Sequence, residues 1–284
     1  MSYSSLASES TICLGAEHGG NPMTSYETIR LEETEGGVWE LVLTNPPANA
    51  LSKQMAFELR HAAAQLSGNS AVRAVVLWGE GKVFFGGGDL VEFQKGGEQT
   101  EANLHEMTID FHGAVSRMAR MDAPVVGAVT GTAGGAGLSL VAAMDLVLAG
   151  ESAKFTLAYT AAGLSPDGTS TFFLSRVVGL RRATEMALTN RVLSADEAQA
   201  WGLINAVHPD DAALDAARAL AARLATGPVN AFGQTKRLLL AGAHSSLGEA
   251  MESEALAIAA QALHPEAVEG IAAFLEKRKP DFPT

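Results

Sequence analysis

A glycine-rich junction between two apolar runs, in residues 123–145, constrains the fold of this chain more than any other segment. The β-branched run Val125–Val129 leads into a cluster of four glycines, and the apolar run Leu138–Met144 follows without glycine or proline. This order predicts a strand, a tight loop and a buried helix. The loop would present backbone N–H groups at a helix N-terminus, where negative charge is favoured.

A second glycine cluster, Gly86–Gly88, lies downstream of another apolar run, Ala74–Leu77. Two strand–glycine–helix junctions of this kind can direct two N–H donors at one oxygen atom. Such an oxyanion hole serves acyl-transfer and enolate chemistry without a charged side chain. Close packing of a strand on a helix is the structural alternative for each cluster.

Other glycine and metal motifs do not match. No Gly-Lys-Ser/Thr ends either loop, and Gly135-Ala136-Gly137 lacks the third glycine of a dinucleotide fingerprint. Gly163-Leu164-Ser165 lacks the closing glycine of a nucleophile elbow. His105-Glu106 begins a zincin-like motif, but Ile109 replaces its second histidine. No His/Asp/Glu cluster has ligand spacing, so we expect no metal.

Charge and cysteine content limit the partners and the compartment. The net charge of −12 argues against nucleic acid, because no basic field is available for phosphates. No apolar run approaches the 18 residues of a membrane span, so we expect no membrane partner. The single cysteine, Cys13, excludes an intrachain disulfide and fits a reducing, cytoplasmic location.

The chain divides into three predicted regions. Residues 1–23 are rich in Ser, Gly and Glu and predict a flexible extension; residues 24–225 alternate strands and helices, and residues 226–284 are almost entirely helical by pattern. This organisation predicts an α/β body with a C-terminal helical module suited to packing on another subunit. The predicted strands are Val38–Leu43, Ala74–Leu77, Val125–Val129 and Asp145–Ala149; the predicted helices include Lys53–Leu66, Glu101–Arg120 and 210–226, with Ser194 capping a further one.

Four segments in order carry a family resemblance: Phe84–Leu90, residues 131–137, Gly163–Asp167 and Ala200–Ile204. Together they resemble the crotonase (enoyl-CoA hydratase/isomerase) superfamily over about residues 26–282. The resemblance implies an α/β crotonase (ClpP-like) spiral of ββα repeats, followed by helices that build a homotrimer or a dimer of trimers. It also implies acyl-CoA thioester substrates, with coenzyme A as part of the substrate and no separate cofactor.

The resemblance assigns the oxyanion hole to the backbone N–H groups of Gly88 and Ala136. The family usually has glycine at the second position; alanine keeps the N–H, although its Cβ narrows the site. Phe274 and Lys277 match residues that reach the coenzyme A of a neighbouring subunit, with a solvated surface lysine as the alternative for Lys277. The full set implied for coenzyme A binding is Ala48, Ala50, Leu51, Gly86, Asp89, Leu90, Phe274 and Lys277.

The two glutamates that the family uses for hydration fall on Ser139 and Tyr159, neither of which is a carboxylate. Asp167 remains, at the position of the single catalytic aspartate in epoxyphenylacetyl-CoA isomerases and related enoyl-CoA isomerases. One base that removes a proton and returns it elsewhere is sufficient for a double-bond shift. Capping of the next helix is the alternative role of Asp167.

A second precedent is 4-chlorobenzoyl-CoA dehalogenase, in which the corresponding aspartate is the nucleophile. Its catalytic histidine falls on His112, its tryptophan on Tyr159 and its bulky oxyanion-hole residue on Gly88. Because Gly88 cannot contribute to an aromatic clamp, we rank this chemistry below isomerisation. The alternative for His112 is a helix residue that faces a cleft or the core.

The leading hypothesis is therefore isomerisation of an enoyl-CoA by Asp167. Hydration of an enoyl-CoA, with Asp167 or Tyr159 positioning water, and non-catalytic binding of a CoA ester remain the alternatives. Two roles are open for Tyr159: its hydroxyl donates a hydrogen bond to the substrate or to a bound water, or its ring only packs. For Ser139 the expected bond is to a carbonyl one turn back in its helix.

Overall fold

The computed structural model describes residues 25–283, so the predicted extension at residues 1–23 lies outside the described residues. A six-stranded sheet has the order β1-β2-β3-β4-β6-β9, and a small second sheet joins β5, β7 and β8. In chain order the strands are β1 Ile29–Glu33, β2 Val38–Leu43, β3 Ala74–Gly79, β4 Val125–Val129, β5 Thr132–Gly134, β6 Leu146–Gly150, β7 Lys154–Thr156, β8 Leu193–Ser194 and β9 Ala206–His208.

Most of the large sheet is parallel. Only β1 and β2 pair antiparallel; the pairs from β2 to β9 are all parallel. Every residue of β4 is buried, as expected for a central parallel strand that is covered on both faces. The near-continuous apolar sequence of β4 follows from that position.

Helices cover both faces of the large sheet. They are α1 Lys53–Gly68, α2 Leu90–Lys95, α3 Thr100–Arg120, α4 Ala136–Ala143, α5 Ser170–Val177, α6 Leu180–Thr189, α7 Ala195–Ala200, α8 Ala213–Ala225, α9 Val229–Gly242, α10 Leu247–Gln261 and α11 Pro265–Glu276. On one face, α8 turns alanines at four-residue spacing toward the sheet, where they pack with Val76, Val126 and Leu148. On the other face, α1 and α3 pack together over a core that includes Phe85 and Phe111.

The main predicted elements are confirmed, with small shifts at their ends. Strands β2 and β4 have the predicted bounds, and the strand expected at Asp145–Ala149 begins and ends one residue later. Ser194 caps α7 as predicted, and Glu197 completes a capping box with it. Strands β1, β5, β7, β8 and β9 were not predicted; all except β1 have two or three residues, too few to show a periodic pattern.

Three helices, α9 to α11, occupy the C-terminal region, as the pattern indicates. An ion pair joins α9 to the body: Lys236 Nζ lies 2.7 Å from Asp145 Oδ2, and it also donates to the carbonyls of Met118 and Ala123. None of the helices in residues 25–283 is sufficiently long and apolar to cross a membrane.

Candidate active site

The two glycine loops lie side by side. Phe85 N–H donates to Thr132 O at 3.1 Å, and Gly134 N–H donates to Phe85 O at 2.9 Å. A Cβ built on Gly87, where φ is +102°, would lie 3.2 Å from Gly134 O. Glycine is needed at this position because the second loop approaches so closely. The two junctions found in the sequence therefore form one structural unit.

Two N–H donors from these loops border one cavity of about 270 Å³: those of Gly88 and Ala136. Ala136 is the first residue of α4, so its N–H has no acceptor within the helix. Within residues 25–283, neither N–H donates to another protein atom. Both N–H groups can therefore donate hydrogen bonds to one carbonyl oxygen bound in the cavity.

The remaining walls of the cavity are mostly apolar. The ring of Phe93 lies so close to Gly88 that a Cβ there would meet Phe93 Cζ at 2.7 Å. Sequence reasoning missed Phe93 and the part of the wall that comes from α3, although Leu104, Met107 and Thr108 have the three- and four-residue spacing of one helix face. The apolar lining comes from Leu51, Leu90, Phe93, Leu104, Met107, Ala162 and Leu164.

Asp167 is the one carboxylate among the residues that line this cavity. The hydroxyl of Tyr159 donates a hydrogen bond to Asp167 Oδ1. The alternative role of Asp167 as a helix cap is wrong: Thr169 is the N-cap residue of α5, and Asp167 contributes only its backbone carbonyl, which accepts from Ser170 N at 3.1 Å. The carboxylate is therefore not used to cap the helix.

Tyr159 is held as a hydrogen-bond donor. Burial, together with the nearby negative charge of Asp167, raises the pKa of the Tyr159 hydroxyl far above its ordinary value. Ser139 Oγ lies 3.2 Å from Tyr159 Oη, 3.0 Å from Asp167 O and 3.2 Å from Gly135 O. The last contact is the predicted bond to a carbonyl one turn back, and the first two connect Ser139 to the Tyr159–Asp167 pair.

His112 lies behind the cavity wall. It projects from α3, and its Nε2 accepts a hydrogen bond of 3.0 Å from the backbone N–H of Gly168. His112 is not among the cavity-lining residues. The structure therefore brings His112 to the turn that carries Asp167. Its hydrogen-bond partner, Gly168, directly follows Asp167 in the sequence.

The residues expected to bind coenzyme A are only partly brought together. Gly86, Leu51 and Leu90 line the cavity, whereas Ala48 and Ala50 do not. The carboxylate of Asp89 is also outside it and accepts from Val91 N and Glu92 N at 3.0 Å, which caps α2. Phe274 is 81% exposed, Lys277 is the C-cap residue of α11, and neither is among the residues that line the cavity. Coenzyme A binding by these residues stays a prediction.

No group of three or more His, Cys, Asp or Glu side chains in the described part of the chain is arranged to hold a metal ion. The polar groups of the cavity are thus the two N–H donors, Tyr159, Asp167 and two hydroxyl residues, Thr108 and Ser165. This set can polarise a carbonyl and move a proton next to it.

Comparison with known proteins shows the family to which the chain is related. The family described as enoyl-CoA hydratase/isomerase matches residues 33–284. A 4-chlorobenzoyl coenzyme A dehalogenase of an Arthrobacter species is 34% identical over 251 residues, which cover 88% of this chain and 91% of that protein. The 1,2-epoxyphenylacetyl-CoA isomerase of Escherichia coli is also 34% identical, over 254 residues that cover 89% of this chain and 97% of that protein.

The same fold occurs in a solved structure of enoyl-CoA hydratase from Mycobacterium smegmatis. That structure superposes with a TM-score of 0.85 at 34% identity and covers 91% of this chain and all of that one. The predicted fold class is thereby confirmed. Proteins with three different named reactions are similar to this chain, so the reaction has to be argued from the residues of the site.

Proposed function

This chain belongs to the enoyl-CoA hydratase/isomerase family of enzymes, and we propose that it moves the double bond of an enoyl-CoA thioester, with Asp167 as the acid–base group. The single observation that carries the proposal is the composition of the cavity. One carboxylate faces a space bordered by two N–H donors, and the positions matching the two glutamates of hydration hold Ser139 and Tyr159. One acid–base group is sufficient for a proton transfer within one substrate.

The reaction begins when the thioester carbonyl accepts hydrogen bonds from the N–H groups of Gly88 and Ala136. Asp167 takes a proton from the α-carbon of a 3-enoyl-CoA, and the electron pair moves through the conjugated system to the carbonyl oxygen. The two N–H donors stabilise this dienolate, each contributing about 3 kcal/mol. The protonated Asp167 then gives its proton to the γ-carbon, which leaves a 2-enoyl-CoA and the original carboxylate. No water or other reactant is consumed.

Tyr159 decides which carboxylate oxygen acts. Its hydroxyl donates to Asp167 Oδ1, so that oxygen is already engaged in a hydrogen bond. Within residues 25–283, Oδ2 has no hydrogen-bond donor, so Oδ2 is the oxygen that takes and returns the proton. The raised pKa of Tyr159 keeps its hydroxyl in the donor form throughout the cycle.

Hydration of a 2-enoyl-CoA is the second candidate. The adjacent hydroxyl of Tyr159 and carboxylate of Asp167 both line the cavity, and such a pair can hold a water molecule between them and the substrate. In that case Asp167 removes a proton from water and the oxygen adds to the β-carbon. Isomerisation is favoured because the strongly raised pKa of Tyr159 prevents it from serving as a second base.

Nucleophilic attack by Asp167 on an aryl-CoA is less well supported. In that interpretation His112 is the base, but its Nε2 accepts from Gly168 N–H and the ring is not among the residues lining the cavity. Non-catalytic binding is also disfavoured, because the chain belongs to a family of enzymes and has both a carboxylate and N–H donors at one cavity.

The proposal is tested by Asp167→Asn, which keeps the shape of the side chain and removes its basicity. We expect kcat for conversion of a 3-enoyl-CoA to fall by about 10²- to 10⁴-fold, the usual contribution of an acid–base group, with unchanged affinity for the CoA ester. Asp196→Asn, at an exposed position on α7, is the matched control and should retain full activity. Undiminished turnover by Asp167→Asn would remove the proposed mechanism.

A further inference from the structure

The turn that carries Asp167 has a conformation that one of its residues, Thr169, disfavours. Gly168 and Thr169 follow Asp167 with φ values of +62° and +69°. Left-handed backbone is unfavourable for a residue with a Cβ, so Thr169 contributes strain. The buried Oγ1 of Thr169 also lacks a hydrogen-bond partner within residues 25–283. The surrounding structure must therefore hold this turn in place.

Four neighbouring residues hold the turn. Ser139 Oγ is 3.0 Å from Asp167 O, and Ser170 N–H donates to the same carbonyl. A Cβ on Gly168 would meet Phe111 Cε1 at 2.6 Å and Ser139 Cβ at 2.9 Å, so α3 and α4 enclose the turn. The N–H of Gly168 itself donates to a side chain, His112 Nε2, at 3.0 Å.

The donor in this bond is a backbone N–H, which fixes the state of the imidazole. His112 Nε2 must carry a lone pair, and the ring proton is then on Nδ1. His112 does not line the cavity, so it contacts the turn and not the substrate. We infer that His112 is a positioning residue, which holds the carboxylate of Asp167 at the reacting carbons by accepting from Gly168 N–H.

This inference rests on the proposed function, in which Asp167 transfers the proton. Proton transfer requires the base within hydrogen-bond reach of the carbon acid, and a shift of about 1 Å can cost about 10²-fold in rate. Loss of the acceptor leaves Gly168 N–H unpaired beside a strained turn. The expected consequence is a displaced Asp167, and so a lower kcat with an intact oxyanion hole and an unchanged affinity for the CoA ester.

The experiment compares His112→Gln with His112→Leu in the full chain. The Oε1 of glutamine can accept from Gly168 N–H, whereas leucine fills similar space without an acceptor. We expect His112→Leu to lower kcat by about 10- to 100-fold with KM unchanged, and His112→Gln to stay within about threefold of the parent enzyme. If His112→Leu fails to fold, His112→Asn replaces it, because the side chain of asparagine is one methylene shorter than that of glutamine and places its amide oxygen farther from Gly168 N–H.

A second readout does not depend on the reaction. Hydrogen–deuterium exchange of the peptide covering residues 165–172 should become faster in His112→Leu and stay slow in His112→Gln, because the Gly168 amide has lost or kept its acceptor. Equal loss of kcat in both variants, with parental exchange, would assign the imidazole a chemical role and overturn the inference. Parental kcat and exchange in His112→Leu would overturn it as well.

Asp167→Asn in the same assay separates the two claims. If Asp167→Asn remains active, the proposed function fails, whatever the His112 variants do. If Asp167→Asn is inactive and His112→Leu is fully active with parental exchange, only the positioning role of His112 fails.

Discussion

Tyr159 and Asp167 form the pair on which the chemistry of this site depends. They are eight residues apart, yet the phenol donates directly to the carboxylate. The two groups have different roles: the tyrosine stays protonated and donates a hydrogen bond, and the carboxylate keeps one oxygen available to accept a proton. A carboxylate with a single neutral donor can keep one oxygen available as a base, whereas a salt bridge would hold it ionised more strongly.

Removal of the phenolic oxygen of Tyr159 should abolish its hydrogen bond to Asp167 while the ring still fills its place in the site. For Tyr159→Phe we expect kcat to fall roughly 10- to 100-fold, since a hydrogen bond to a charged group contributes about 1.5–3 kcal/mol. KM for the CoA ester should change little. Tyr26→Phe is the matched control, because its hydroxyl bonds His61 Nδ1 at 2.8 Å, outside the cavity lining. Steady-state kinetics of the two variants check this expectation, and equal rates would contradict it.

The raised pKa of Tyr159 also predicts the alkaline side of the pH profile. A higher pKa means that the proton remains on the hydroxyl at a higher pH, so the donor to Asp167 persists beyond the usual tyrosine range. We therefore expect kcat to show no decrease from tyrosine ionisation as the pH approaches about 10. A fall in kcat that begins near pH 9 and is absent in Tyr159→Phe would contradict this expectation.

The sequence predicts the members of the site better than their contacts. The glycine loops stand out in the sequence, the family resemblance singles out Gly88, Ala136 and Asp167 within these segments, and all three line the cavity. The Tyr159–Asp167 hydrogen bond could not be predicted from the sequence, since it depends on a chain reversal with left-handed backbone at Ala158 and Gly163. Periodicity carries no information about the direction of such irregular segments.

At the scale of elements, the turn before α5 controls where the base lies. Gly168→Ala adds a Cβ at φ +62° that would meet Phe111 Cε1 at 2.6 Å. We expect the free energy of unfolding to fall by about 2–5 kcal/mol, the sum of left-handed strain and overpacking. Activity should be lost as well, because the turn carries Asp167. Chemical denaturation and kinetics of the purified variant provide the measurement.

Gly163→Ala separates the two costs. Gly163 has φ +72°, but a Cβ there meets nothing within 4 Å. This variant should pay only the conformational cost of about 1–2 kcal/mol. Equal destabilisation by the two substitutions would show that packing against Phe111 does not matter.

Long elements were predictable and short ones were not. Strand β4 is predicted by its apolar run, and helix α3 by helical spacing of apolar residues over 21 residues. Strands β5, β7 and β8 have two or three residues, and β5 is formed largely by the glycine loop itself. Tertiary pairing defines such strands, so local propensity cannot reveal them.

At the scale of the whole molecule, the C-terminal helices expose an apolar surface. Helix α10 has no buried residue, and it forms a groove of about 800 Å³ with α9. Leu239 on α9 and Ile258 on α10 line this groove, and each is 73% exposed. Exposed apolar patches of this kind mark protein–protein interfaces. The predicted homotrimer or dimer of trimers remains a prediction that this surface supports.

Sedimentation analysis should therefore find a trimer or a hexamer. Ile258→Asp places a charge in the groove and should shift the distribution toward monomer, because an unpaired charge is costly to bury. Ser67→Asp adds the same charge at an exposed position on α1 and serves as the control. A parent protein that sediments as a monomer would contradict the prediction.

The proton transfer by Asp167 is tested most directly by product analysis in labelled water. A 3-enoyl-CoA and a 2-enoyl-CoA are incubated in heavy-oxygen water with the parent enzyme and with Asp167→Asn, and the products are followed by NMR and mass spectrometry. We predict a shifted double bond, no incorporated oxygen, and formation of the product about 10²- to 10⁴-fold more slowly with Asp167→Asn. A product heavier by one labelled water, or full turnover by Asp167→Asn, would contradict the account.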